Sequence, residues 1–180
     1  DSITNHLTLY TFSTENWKRS PQEIKQLFEL INITYKQFKD TAKDQNIKII
    51  HLGEKSRLPK QTVNIVNDVV ESTKMNNGLT LNIALNYGGR SEILYAFKKF
   101  KKSKLNISEK NFYKFLYSPK LPDPEIIIRT GGDLRLSNFL LWQSAYSEFF
   151  FTKTLWPNFN YMQLKKIINK FNKRKRNFGK

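Results

Sequence analysis

The chain predicts an α/β fold, a single domain with a mainly parallel central sheet flanked by helices, and three observations carry that prediction. Short apolar runs of strand length alternate with longer segments whose apolar residues recur at helical spacing, the pattern of parallel strands joined by crossover helices. Glycine, proline and Asn-Gly punctuation falls between the runs. The length, 180 residues, suits one domain, and a domain of that size buries roughly 70% of the surface its unfolded chain would expose.

The elements follow in order. LTLYTF at 7–12 is a first strand of leucine, threonine and aromatic residues. Ser20-Pro21-Gln22-Glu23 forms a capping box with proline at the first helical position. Ile24, Leu27, Phe28, Ile31, Tyr35 and Phe38 then recur at helical spacing, so a helix runs from 21 to about 40. IKIIHLG at 47–53 is a second strand, and a helix opening at Pro59 carries Val63, Val66, Val69 and Val70. Asn76-Asn77-Gly78 marks a turn before the buried strand LTLNIALNY at 79–87, which Gly88-Gly89 ends ahead of a helix near 91–102. A short helix near 108–116 leads into a stiff loop with Pro119, Pro122 and Pro124. EIIIRT at 125–130 is a fourth strand, closed by Gly131-Gly132; 137–146 reads as a helix rich in Phe, Leu and Trp, and EFFF at 148–151 as a fifth strand. A last helix over 160–173 runs into a basic tail, NKRKRNFGK, at 172–180.

Composition excludes several classes of function. There is no cysteine, hence no disulfide framework, thiolate metal site or cysteine nucleophile. His6 and His51 are too few for a histidine-rich metal site, and no apolar run approaches the roughly 18–20 residues of a membrane span. The net charge of +16 invites nucleic acid. The cations, however, are 24 lysines against seven arginines, dispersed as on solvated faces, and no nucleic-acid partner is expected.

In an open parallel sheet, ligands bind beyond the carboxyl ends of the strands, and the polar clusters are expected there. Strand 7–12 is followed by STENWKR, 79–87 by GGR and 125–130 by GGDLRLS, while Glu148 opens the last strand. Arg19, Arg129 and Arg135, with the hydroxyls of Ser13 and Ser137, supply charge-assisted and short donors for phosphate oxygens. Gly131-Gly132 would let backbone N–H groups close on an anion. Asp133 and Glu148 are the carboxylates best suited to a hard cation such as Mg²⁺, which takes one or two carboxylates plus phosphate oxygens. Together these point to a diphosphate site. The plainer alternatives are a simple Gly-Gly turn, Ser137-Asn138 as a helix N-cap, Trp17 in the core and His51 as an edge or core histidine.

LTLYTFSTENWKRSPQEI, LTLNIALNYGGRSEI, PDPEIIIRTGGDLRLSNFLLWQSAYSEFFFTKTLWPNF and RKRNFG, in that order and spacing, resemble the cis-prenyltransferase family over nearly the whole chain. The resemblance implies that an allylic diphosphate such as farnesyl diphosphate is elongated by isopentenyl diphosphate. Each added unit carries a Z double bond, and the reaction needs Mg²⁺. It implies a homodimer, a hydrophobic tunnel enclosed by the fold that accounts for 14 Phe, eight Tyr and three Trp, and a cytoplasmic enzyme with contact to a membrane or organellar targeting as further options. By position, Arg19, Arg129, Arg135 and Ser137 would hold isopentenyl diphosphate. Ser13 and Asn16 would be the catalytic pair, acting in proton removal and in orienting the reactants. Phe12 and Trp17 would line the prenyl side, Thr14, Glu15 and Leu136 belong to the substrate-binding set, and Leu79 matches a position near the tunnel floor. Glu148 would be the magnesium-side carboxylate, either coordinating the metal or reaching across the dimer.

Three departures from the family pattern stand out. The Asp-Gly-Asn-Gly-Arg-Trp loop that binds the allylic diphosphate, with the strand before it, has no match in residues 1–180, so the expectation is a chain that continues N-terminally. The alternative is a non-catalytic partner subunit of a cis-prenyltransferase. The C-terminal Arg-x-Gly is replaced by Asn177-Phe178-Gly179, with Arg176 or Lys175 as substitutes. Asp133 stands where Glu is common.

Overall fold

The alternation read from the sequence becomes, among the described residues of the computed structural model, five strands whose pairings are all parallel. The structure describes residues 4–174 and forms two compact units, one ending at Pro119 and the other beginning at Lys120.

The first unit is built on a three-stranded sheet in the order β1-β3-β2, from β1 (His6–Ser13), β2 (Lys48–Leu52) and β3 (Thr80–Tyr87). β3 lies in the middle, and its apolar run is buried from Leu81 to Tyr87, as a strand covered on both faces requires. Helix α1 (Pro21–Asp44) begins at the expected capping box: the Ser20 hydroxyl accepts from the Glu23 N–H at 3.3 Å, and the Glu23 carboxylate accepts from the Ser20 N–H at 3.0 Å. α1 packs on α2 (Lys60–Ser72), and Phe28, Tyr35, Val66 and Val69 of these helices meet Phe12, Ile49, Leu81 and Leu85 of the sheet in one apolar core. α3 (Gly89–Lys101) starts two residues earlier than expected, capped by Gly88, and α4 (Glu109–Tyr113) is shorter than its predicted span. Glu92, 1% exposed, accepts from the Tyr87 hydroxyl at 2.5 Å and the Tyr117 N–H at 2.8 Å, so this buried carboxylate is hydrogen-bonded from both sides.

His51 lies on β2 at the edge of the sheet, its Nε2 3.0 Å from the Leu85 carbonyl. Burial, opposed by that bond and assisted by nearby Lys55, lowers its pKa to about 4. The folded state therefore binds this proton less readily than the unfolded chain, and stability must rise with pH across the window. We expect full stability above about pH 6.5. It should fall by about 3 kcal/mol as pH drops to about 4, and urea unfolding of the wild type beside His51→Gln, whose profile should be flatter there, checks this.

The second unit holds β4 (Ile126–Arg129) and β5 (Glu148–Phe151), in the register Ile126 to Glu148 and Arg129 to Phe151. α5 (Tyr161–Asn172) follows, capped by Asn160. The helix expected over 137–146 does not form; the segment is a series of turns. Its apolar residues imitate helical spacing, but Ser137, Asn138 and Leu140 all adopt positive φ, of 49°, 65° and 44°, and no right-handed helix passes through them. The reading of Ser137-Asn138 as a helix N-cap falls with it. Most of the basic tail, including Asn177-Phe178-Gly179, lies outside the described residues.

Candidate active site

In the first unit the STENW segment is a single 3-10 turn, Thr14–Lys18, launched from the end of β1. The pairing of β1 with β3 shifts register between Tyr10 and Phe12 and again before Ser13, so the strand is irregular where it delivers the loop. Ser13 and Asn16 close the turn on each other. The Asn16 Oδ1 accepts from the Ser13 N–H at 2.8 Å, and the Ser13 Oγ accepts from the Glu15 N–H at 3.1 Å. The Ser13 hydroxyl also donates to the Glu15 carboxylate, as does the Thr14 hydroxyl, so Glu15 braces two of the loop's side chains. Trp17 is fixed twice: its ring packs on Phe12 and Phe28 with centroids 5.1 and 5.4 Å away, and its Nε1 donates to Asn86 Oδ1 at 2.7 Å. Arg57 caps the indole from 4.9 Å. Phe12 itself is 1% exposed and belongs to the core, and Leu79 packs against the same core. Arg19 is exposed, 3.9 Å from Glu23.

Asn86 is a residue the sequence reading missed. It takes a left-handed φ of 52° at the end of β3, and its Nδ2 donates to the Glu54 carbonyl at 2.8 Å, so one buried amide ties the STENW turn to the loop after β2. The signal was an amide interrupting the apolar run LNIALNY.

In the second unit, Arg129 at the end of β4 organises the loop that follows. Its Nη1 donates to the Ser137 hydroxyl at 2.7 Å and to the Arg135 carbonyl at 2.8 Å, and its Nη2 donates to Asp133 at 3.0 Å. Arg135 reaches the same Asp133 oxygen at 2.6 Å. Arg129, Arg135 and Ser137 are thus brought together in one loop, with Leu136 between Arg135 and Ser137 in sequence and partly buried. Asp133 has a different place from the one assigned: its carboxylate bridges two guanidinium groups and is committed to cations of the protein. The Gly131-Gly132 expectation is also corrected. Both glycines take φ near 90°, as the turn demands, but their N–H groups donate to the Thr154 and Thr152 carbonyls at 2.8 and 2.9 Å and are spent on backbone pairing. Among the described residues, the Arg129 Nε is buried without a hydrogen-bond partner. Such a donor is costly to bury unless something completes it.

Glu148 does not share the edge where Arg129 lies. Because β4 and β5 are parallel and paired from their first residues, Glu148 sits opposite Ile126, three residues and roughly 10 Å of strand from Arg129. Its side chain, 18% exposed, accepts from Arg174 at 2.5 Å, and the Arg174 guanidinium also lies over the Phe150 ring at 4.6 Å. No sequence signal announced that pair, which joins residues 26 positions apart.

A family model described as putative undecaprenyl diphosphate synthase matches residues 2–179. The chain belongs to the cis-prenyltransferase family. An isoprenyl transferase of Streptococcus thermophilus is 46% identical over 184 residues, covering 96% of this chain and 74% of that protein. An isoprenyl transferase of Streptococcus pyogenes is 46% identical over 185 residues, 97% of this chain and 74% of that one. Among solved structures, a probable undecaprenyl diphosphate synthase from Campylobacter jejuni superposes with a TM-score of 0.92 at 38% identity, over 98% of this chain and 84% of its own. Lavandulyl diphosphate synthase from Lavandula x intermedia, solved with dimethylallyl diphosphate, gives a TM-score of 0.92 at 30% identity, over 98% and 79%. The STENW and RTGG segments of this cis-prenyltransferase therefore sit in a fold shared with prenyl diphosphate enzymes.

The residues of this cis-prenyltransferase fit Mg²⁺ in one way. Among the described residues no group of three or more His, Asp or Glu is gathered to hold a metal. Glu148 offers one carboxylate, engaged by Arg174 through Oε2. A single carboxylate suits Mg²⁺ when substrate phosphate oxygens and water supply the rest of the shell.

Proposed function

We propose that this protein elongates an allylic diphosphate, with farnesyl diphosphate as the starter, by successive Z-condensations with isopentenyl diphosphate, working as a Mg²⁺-dependent homodimer to give a polyprenyl diphosphate. The observation that carries the reading is the Arg129, Arg135 and Ser137 constellation, three donors held together in a chain whose residues 2–179 match the family model. Arg129 and Arg135 bind the diphosphate of isopentenyl diphosphate, exchanging part of their hold on Asp133 for phosphate oxygens, and Ser137 adds a neutral donor. Arg19, in the first unit, offers a cation for substrate phosphate, and Leu136 shapes the site beside Arg135 and Ser137. Glu148, together with substrate phosphate oxygens, would hold Mg²⁺, and the ion would supply positive charge beside the isopentenyl diphosphate.

In the reaction, the C1–O bond of the allylic diphosphate breaks and diphosphate leaves with the electron pair. The double-bond electrons of isopentenyl diphosphate form the new bond to C1, and a proton lost from its C2 regenerates a double bond of Z geometry. Asn16 and Ser13 orient the C–H and pass the proton toward a diphosphate oxygen. An amide is a poor base and serves here as a hydrogen-bonding relay. Glu15 and Thr14 brace this pair, and Trp17, backed by Phe12, forms the wall of the tunnel that takes the growing chain. Diphosphate release by the full-length protein tests the proposal. It should equal the isopentenyl diphosphate consumed and should stop when the allylic substrate or Mg²⁺ is withheld. Release without an allylic substrate would contradict it.

A further inference from the structure

After Glu148 the chain contains nine lysines and arginines and not one acidic residue. Charge this one-sided is unusual where both signs normally mingle on a surface, and α5 gives it a shape. Ile167, Ile168 and Leu164 are partly buried and Phe171 is buried, while Lys165, Lys166, Asn169, Lys170 and Lys173 are all exposed. Spaced at one, four and three residues, the lysines share one side of the helix. With Met162 they line a surface groove along it. At the N-terminal end of the same helix, Tyr161 and Met162 are 58% and 70% exposed, the Tyr161 ring carrying Lys165 at 6.0 Å. None of the lysines of α5 makes an ion pair among the described residues.

We propose that this face of α5 docks the protein on an anionic lipid bilayer. The lysines would lie against the headgroups, and Tyr161 and Met162 would enter the boundary between headgroup and acyl chain. Lysine suits this task because its ammonium reaches a flat, disordered array of phosphates on a flexible stem, whereas ordered, bidentate phosphate recognition favours arginine. Exposed apolar residues at one end of the lysine row favour a bilayer over a nucleic acid, whose backbone offers them nothing to enter. Each lysine near a negatively charged surface contributes roughly a fivefold gain in partitioning, and salt screens it.

Vesicle flotation of the full chain reads this without any turnover, so its outcome is independent of the proposed reaction. The protein should float with phosphatidylcholine vesicles containing phosphatidylglycerol, more weakly at high salt, and not with phosphatidylcholine alone. The triple variant Lys165→Glu, Lys166→Glu, Lys170→Glu should lose affinity on the order of 100-fold. The matched variant Lys98→Glu, Lys99→Glu, Lys101→Glu, on the exposed side of α3, should float like the wild type. Equal loss in both variants would mean diffuse charge and overturn the proposal. So would failure of the wild type to float, or loss of binding to single-stranded RNA rather than to vesicles in the α5 variant. Met162→Trp should shift its emission to the blue on the anionic vesicles, and emission unchanged on binding would overturn the entry of that end of the helix.

Discussion

Arg129→Ala should raise the KM for isopentenyl diphosphate on the order of 100-fold or more, while the KM for farnesyl diphosphate changes little. Arg129 makes three of the hydrogen bonds that shape its loop, to Ser137, Arg135 and Asp133. Its loss therefore removes a direct contact with the diphosphate and also frees Arg135 and Ser137 to move. Hydrogen bonds to charged groups contribute about 1.5–3 kcal/mol each, so two contacts to phosphate exceed the roughly 3 kcal/mol that a 100-fold change requires. Arg129→Lys should recover little, because an ammonium cannot reproduce the forked geometry that reaches Ser137 and Asp133 together. Steady-state kinetics with each substrate varied in turn decides it. Equal losses for both substrates would mean that the cluster does not hold isopentenyl diphosphate.

Asn16→Asp should lower kcat by about 100-fold with a melting temperature close to that of the wild type. The substitution keeps the oxygen that caps the Ser13 N–H, so the turn is preserved, and it removes the amide N–H₂ and adds a negative charge where diphosphate must approach. If Asn16 were only a brace for the STENW turn, Asp would serve as well and activity would persist. Asn16→Ala separates the two roles further, since it removes the cap as well and should cost about 1 kcal/mol of stability besides activity.

Much of the fold was legible because local rules agreed with one another. Ser20 to Glu23 announced the start of α1, the largely apolar run LTLNIALNY at 79–87 announced a buried strand, and the strand and helix alternation announced parallel pairing. The grouping of Arg129, Arg135 and Ser137 was legible too, since a short loop after a strand leaves three side chains few places to go. The misread parts depend on partners distant in sequence. Phe139, Leu140 and Trp142 have helix-like spacing, yet Leu140 is buried at positive φ, a conformation no local propensity favours. The Gly131 and Gly132 amides look available until the chain returns at Thr152 and Thr154 to take them. Glu148 was placed with the loops at the carboxyl edge, although a residue that opens a parallel strand must lie at the amino end. The roles of Asn86 and Arg174 arise from contacts 69 and 26 residues away.

The central claim is that these clusters serve the joining of prenyl units. Incubation of the full-length protein with farnesyl diphosphate, isotopically labelled isopentenyl diphosphate and Mg²⁺, followed by solvent extraction and analysis of the product, tests it most directly. The expected product is labelled polyprenyl diphosphate in which every added unit has a Z double bond. Label that stays in isopentenyl diphosphate, or product whose added units are E, would contradict it.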